Sequence, residues 1–255
     1  MNPPLVIKIG GSTLGSADSS FRDIAALARG GDVPVVVHGG GAEATAWLER
    51  LGIPSRFERG LRVTDEEVLP VVVALFAGLV NKRIVAALNS VGALAAGLSG
   101  ADGRLLECRI AAPELGFVGE PLAVNPAAAL ALRAAGIVPV ISPIGWVHGD
   151  AADQLVNVNA DAMAGAVAAA FGARKLVFLT DVEGVRDAAG AIVPTLSAVE
   201  AQRLIDDGTI SGGMIPKVEA CLRAVERGVP SQIIDGRIEG SLGRVERSGT
   251  TFTST

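Results

Sequence analysis

Short apolar runs recur along the 255-residue chain at Leu5–Ile9, Pro34–Val37, Ala95–Leu98, Ile137–Ile141, Leu176–Leu179 and Ser231–Ile234, each nearly all apolar rather than alternating. A sheet with one wet face would alternate apolar and polar residues; runs of this kind fit parallel strands covered on both faces. Between them lie segments of helical spacing at Phe21–Ala28, Ala42–Leu51, Glu66–Ser90, Ala127–Ala135, Asp161–Phe171, Ala198–Asp206 and Ile215–Arg227. Strand–helix–strand alternation of this sort predicts a doubly wound α/β sheet. A polar stretch near Gly149–Asp153 separates an expected N-terminal lobe, residues 1–150, from a C-terminal lobe, residues 151–255.

In such sheets ligands bind beyond the carboxyl ends of the strands, and the unusual residues of this chain fall there. The first strand runs into Gly10-Gly11-Ser12, the second into His38-Gly39-Gly40-Gly41, the third into Ser99-Gly100-Ala101-Asp102-Gly103 and the fifth into Thr180-Asp181-Val182-Glu183-Gly184-Val185. Glycine at a strand end lets backbone N–H groups approach a ligand, and a following helix adds its positive end. Several such loops on one edge make an anion cradle.

Three charged residues stand out against this frame. Lys8 lies inside the first apolar strand, where an ammonium costs desolvation unless it is paired or faces an anion. Lys217 follows the glycine loop Ser211-Gly212-Gly213-Met214-Ile215-Pro216. Asp161 closes Asn157-Val158-Asn159-Ala160-Asp161 and opens an alanine-rich helix, a position that also suits an N-cap. Two cations, a carboxylate and glycine loops point to phosphoryl transfer, in which the protein mainly positions groups and neutralises charge. A Walker loop, a kinase catalytic loop and a Ser-His-Asp arrangement are all missing, and His38 and His148 read as polar turn residues. A carboxylate acceptor would need no general base, because it is already ionised at neutral pH.

Composition narrows the classes further. A net charge of −5 argues against a general nucleic-acid binder. Two cysteines, Cys108 and Cys221, are too few for a disulfide scaffold or a four-ligand zinc site and suit a reducing compartment. The N-terminus has no leader pattern. The longest apolar run, around Val68–Val80, is broken by Pro70 and Gly78 and falls short of the ~18 residues of a membrane span. These features read as a soluble cytoplasmic protein without a membrane or nucleic-acid partner.

The ordered set Lys8-Ile9-Gly10-Gly11-Ser12, His38-Gly39-Gly40-Gly41, Gly60-Leu61-Arg62-Val63-Thr64-Asp65, Asn81-Lys82, Asn157 through Asp161, Thr180 through Val185, Gly212 through Lys217 and Asp235-Gly236-Arg237 resembles the amino acid kinase family, and within it the branch acting on N-acetyl-L-glutamate. The resemblance covers nearly the whole chain. It implies a three-layer αβα sandwich with a mainly parallel central sheet, the amino acid kinase (carbamate kinase-like) fold, with both lobes on one sheet. It also implies ATP-dependent phosphorylation of the γ-carboxylate of N-acetyl-L-glutamate in arginine biosynthesis, with Mg2+ bridging the ATP phosphates and no metal ligand assigned to the protein. Carried over motif by motif, Lys8 and Lys217 would neutralise the migrating phosphoryl group and Asp161 would orient both. Gly11, Gly40 and Gly41 would contact phosphoryl and acceptor, Arg62 the α-carboxylate and Asn157 the acetylated end. Gly10, Asp181, Val182, Glu183, Gly184, Val185, Arg186, Thr209, Ile210 and Ser211 would hold the nucleotide.

The N-terminal lobe would bind acceptor and the C-terminal lobe ATP, and the helix Glu66–Ser90 would pair two subunits. Only seven residues precede Lys8, whereas arginine-inhibited hexameric members carry an extra N-terminal helix, so a homodimer insensitive to arginine is expected. Two other readings carry weight: a kinase for carrier-protein-linked α-aminoadipate in lysine biosynthesis, which Gly78 through Arg83 and Gly97 through Gly100 also resemble, and a nucleotide-binding sensor that kept the fold without the chemistry.

Overall fold

The computed structural model describes residues 2–10, 18–149 and 153–254. The chain runs through β1 (Leu5–Ile9), α1 (Asp18–Arg29), β2 (Val35–His38), α2 (Gly41–Arg50), a hairpin of β3 (Phe57–Glu58) and β4 (Leu61–Arg62), α3 (Val68–Val73), a π-helical stretch Ala74–Val80 and α4 (Asn81–Ser90). There follow β5 (Ala95–Ser99), β6 (Leu106–Ile110), β7 (Val118–Val124), α5 (Ala127–Ala134), β8 (Val138–Ser142), β9 (Ile144–Val147), β10 (Gln154–Val158) and α6 (Ala160–Ala170). The remainder holds β11 (Lys175–Thr180), β12 (Thr195–Ser197), α7 (Ala198–Asp206), α8 (Ile215–Glu226), β13 (Ser231–Asp235) and β14 (Thr250–Thr253).

Eight strands form one sheet in the order β12-β14-β13-β11-β1-β2-β8-β5, parallel throughout except at the β13–β14 pair. Every apolar run identified from the sequence lies in this sheet, and the sandwich with a mainly parallel centre is borne out. The lack of alternation has a direct cause: successive residues enter opposite layers, and both layers are covered. Val6, Val35, Val37 and Phe178 pack with Met163 and Val167 of α6 and Val218 and Cys221 of α8. Ile7, Ile9, Val36 and Leu179 pack with Phe21 and Ile24 of α1 and Ile84 and Leu88 of α4. Burial of each such aliphatic side chain is worth about 1.5–3 kcal/mol.

Strands from the first half of the chain occupy one side of the sheet and β11 to β14 the other, with β1 and β11 adjacent. A smaller closed set, β10-β7-β6-β9, sits beside the sheet. β10 falls after residue 150 yet pairs with β7 and β9, so the chain leaves the first half's strands only at Asn159.

The apolar stretch read as ending near Val80 is part of a continuous helical segment, Val68–Ser90, 23 residues long, within which an 18-residue window has a mean hydropathy of 1.9. By length and composition it is enough to cross a membrane, which corrects the shorter reading. Pro70 lies in its first turn, where a missing N–H is tolerated, and Gly78 falls within the wider π-helical stretch. Val68, Val72, Phe76, Val80, Ile84 and Leu88 bury one face against the protein, while Val71, Val73, Ala77 and Leu79 are half-buried.

Asn81 opens α4 as a buried amide, donating to Val140 O at 2.9 Å and to His38 Nε2 at 3.1 Å. It faces Gly97 of β5, where an added Cβ would fall on Asn81 Oδ1 and crowd the Lys82 ammonium. Gly97→Ala should therefore overpack this contact and cost about 1–3 kcal/mol. A thermal unfolding midpoint lowered by several degrees is the expected result, and an unchanged midpoint would contradict the packing account.

Candidate active site

The carboxyl ends of β11, β1 and β2 lie side by side, tied by Gly10 N donating to Leu179 O (3.2 Å) and Gly39 N donating to Ile9 O (3.1 Å). Lys8 shares the face of β1 that Val6 presents to α6, and its ammonium meets Asp161 Oδ1 at 2.6 Å. Both side chains are largely buried, at 11% and 16% exposure, so the cost of a lysine in a central strand is offset by a specific anion. The pair is held by charge proximity without the angular geometry of a hydrogen bond.

Asp161 is free for this role because it does not cap its own helix. Asn159 is the N-cap of α6, accepting from Asp161 N and Ala162 N at 3.0 Å each. The carboxylate of Asp161 stands in the first turn, where the positive helix end favours an anion.

Lys8 and Asp161 border a cavity of about 220 Å³ whose walls include Gly40, Gly41, Arg62, Phe76, Asn157 and Asn159. Gly40 is required sterically, because a Cβ there would lie 2.8 Å from the Phe76 ring. Gly41 starts α2, whose first N–H groups have no carbonyl partner inside the helix and can serve an anion. Arg62 is buried by a network: it donates to Ser55 Oγ (2.8 Å), Gly41 O (2.9 Å) and Thr45 Oγ1 (2.7 Å), and its guanidinium lies 4.6 Å from the Phe57 ring centroid. Burial lowers its pKa from the ordinary arginine value, a range in which the group stays charged. Asn157 is buried on β10 and donates from Nδ2 to Thr64 Oγ1 at 3.0 Å.

The structure thus brings together Lys8, Asp161, Gly40, Gly41, Arg62 and Asn157. Gly11 lies outside the described residues. Lys217 is half-buried on the first turn of α8, its Nζ donating to Gly213 O at 3.1 Å rather than to Asp161. Asp161 nevertheless faces α8 across a second cavity of about 450 Å³, bordered also by Pro216, Glu219 and Ala220.

The expected nucleotide residues fall in separate segments: Gly10 ends β1, Asp181 through Arg186 follows β11, and Thr209 through Ser211 lies between α7 and α8. Arg186 pairs with Glu183 at 2.6 Å, while Val185 is buried and donates its N–H to Thr250 Oγ1 at 2.8 Å. Gly184 is required there, since a Cβ would meet that hydroxyl at 2.7 Å. Ile210 is likewise a core residue, whereas Asp181 and Ser211 are exposed and Val182, Thr209 and Gly10 half-buried. Sequence reasoning assigned no role to Asn159, whose capping the pattern Asn-Ala-Asp permitted, or to Thr64, present only as part of the Gly60 through Asp65 motif, and gave no signal for Phe57 and Phe76.

His38 is not a turn residue on the surface. It is buried, with Nδ1 donating to Gly39 O (2.7 Å) and Nε2 accepting from Asn81. Cys108 and Cys221 are both buried thiols; desolvation pushes Cys108 up to about 12 and raises Cys221 as well, so neither is a ready thiolate.

The profile of the Amino acid kinase family matches residues 3–235. An acetylglutamate kinase from Dehalococcoides mccartyi is 44% identical over 256 residues, covering 99% of this chain and 94% of that protein. A crystal structure from Streptococcus mutans superposes with a TM-score of 0.86 at 28% identity, covering 98% of each chain. Giardia carbamate kinase shares the fold at 14% identity with a TM-score of 0.75, covering 100% of both.

Burial, reinforced by the charges of Lys8 and Lys82, lowers the pKa of His38 from 6.5 to about 4 despite its bond to Gly39. Between those values the unfolded chain binds a proton that the folded imidazole refuses, so stability falls as pH drops through this window, by ~1.4 kcal/mol per unit for one such group. His38→Gln should flatten that acid limb. Urea unfolding at pH 7 and pH 4.5 would show a smaller stability difference in the variant; equal differences would overturn the assignment to His38.

Proposed function

This chain belongs to the amino acid kinase family, and we propose that it transfers the γ-phosphoryl group of ATP to the γ-carboxylate of N-acetyl-L-glutamate, giving N-acetyl-L-glutamyl 5-phosphate for arginine biosynthesis. The observation that carries this reading is the Lys8–Asp161 ion pair bordering a cavity walled by Gly40, Gly41, Arg62 and Asn157. Curated relatives named acetylglutamate kinase at 44–47% identity support the choice of acceptor.

The acceptor carboxylate is ionised at neutral pH and attacks the γ-phosphorus directly. An oxygen–phosphorus bond forms as the bond to the β–γ bridging oxygen breaks, and ADP departs with that oxygen. The residues' task is electrostatic. Lys8 offsets charge on the equatorial oxygens, and Asp161 keeps its ammonium aimed. Amide N–H groups at Gly11, Gly40 and Gly41 would donate to the phosphoryl and acceptor oxygens. Arg62 meets the α-carboxylate with its fork, and Asn157 meets the acetamido group.

Gly10, with Asp181 through Arg186 and Thr209 through Ser211, would seat the nucleotide against the lobe that follows β10, opposite the acceptor-binding lobe formed by the strands up to Val158. Lys217 supplies a second cation once phosphate draws its ammonium from the Gly213 carbonyl, since a charged oxygen is the stronger partner. Mg2+ neutralises charge on the phosphates when bound. Among the described residues no three His, Cys, Asp or Glu side chains converge. The half-buried face of the Val68–Ser90 helix and the edge strand β5 would join two copies as a homodimer.

A coupled ADP-release assay with N-acetyl-L-glutamate, free glutamate, N-acetyl-α-aminoadipate and a carrier-linked aminoadipate should respond to the first acceptor alone. Preference for the carrier-linked acceptor would reassign the substrate. Lys8→Arg should lower kcat by about 10²–10³-fold while ATP affinity stays within a few fold; parallel loss of ATP binding would mark Lys8 as merely structural.

A further inference from the structure

Thr64 is fully buried where three segments meet. Its N–H donates to Leu115 O at 3.0 Å, its carbonyl accepts from Phe117 N at 2.7 Å, and Asn157 N donates to Phe117 O at 2.9 Å. Gly116, between those contacts, has φ +68° and leaves no room for a Cβ against the Thr64 carbonyl oxygen. The backbone at Thr64 is therefore fixed relative to β10, and so is its side chain.

The Thr64 hydroxyl has two partners, Arg62 O at 3.0 Å and Asn157 Nδ2 at 3.0 Å. A carbonyl only accepts, so the single hydroxyl proton is committed to Arg62 O. Only lone pairs remain for Asn157, and they accept from the amide nitrogen. Which way an asparagine amide is turned follows from its hydrogen-bond network; here the nitrogen faces Thr64 and Oδ1 faces away. Among the described residues Oδ1 has no protein partner, and Asn157 lines the acceptor cavity.

We propose that Thr64 is a positioning residue that turns the Asn157 amide so that the cavity requires a hydrogen-bond donor on the acceptor's α-nitrogen, an acylated N–H. The inference rests on the functional reading above and deepens it. The same hydroxyl anchors the backbone of Arg62, so the groups that grip the acceptor's α-carboxylate and α-nitrogen are registered through one side chain. An acyl amide satisfies Oδ1 with its N–H, whereas an ester oxygen in that place would set lone pair against lone pair.

The test compares kcat/KM for N-acetyl-L-glutamate and for its 2-acetoxy analogue, in which an ester oxygen replaces the amide N–H. The unmodified chain should prefer the amide by about 10- to 100-fold, the span expected for an unpaired buried acceptor. Thr64→Val keeps the volume but frees the amide to turn, and the preference should shrink to within about threefold with KM for ATP unchanged. Thr64→Ser should retain the preference. A ratio near one in the unmodified chain overturns the inference even if the valine variant fails to fold. So does an unchanged ratio in Thr64→Val, or full loss in Thr64→Ser. No turnover of N-acetyl-L-glutamate by the unmodified chain overturns the functional reading as well, which separates the two failures.

Discussion

An ammonium in the middle of a parallel sheet has to be met by an anion, and the ion pair of Lys8 with Asp161 orders much of what surrounds it. The lysine cannot leave β1 without breaking the packing of Val6, Ile7 and Ile9. The aspartate is carried by α6, which crosses over β1 and β2. Removing one partner of a buried pair typically costs about 3–5 kcal/mol, because the remaining charge stays uncompensated. Such an arrangement is a weak source of stability and a strong source of specificity: it fixes where a cation stands at the mouth of the cavity before any ligand arrives.

Preorganisation extends outward from that pair. Arg62 is held by Ser55, Thr45 and the Gly41 carbonyl and stacked near Phe57, so little side-chain entropy is left to lose on meeting a carboxylate. His38 holds the carbonyl of Gly39 just ahead of the residues that open α2, and Asn81 holds His38.

The central sheet was legible because burial on both faces writes itself into the chain as unbroken apolar runs. β12 and β14 were not, being short and threonine-rich at one end of the sheet, and β6, as Leu106-Glu107-Cys108-Arg109-Ile110, mixes polarity as a strand of the small closed set. Lys8 was conspicuous because a cation among aliphatic residues demands a reason. Asp161 was ambiguous, since a carboxylate at a helix start serves a cap as well as a site; the ambiguity dissolves only when Asn159 is seen to take the cap. Lys217 could be placed beside a glycine loop, but the carbonyl that holds its ammonium is a matter of rotamer, which residue spacing does not encode. Thr64 stood in the Gly60 through Asp65 motif without a role of its own, because its importance lies in partners two and ninety-three positions away.

β1 and β11 are joined by register pairs from Leu5–Lys175 to Ile9–Leu179, so the halves of the molecule share a continuous hydrogen-bonded floor. Any narrowing of the space above it has to come from changes in sheet coil or from shear of α6 and α8 over the strands. Such motion would keep Lys8 nearly stationary while the groups contributed by the later half travel toward it, making the first strand the reference from which the catalytic geometry is measured.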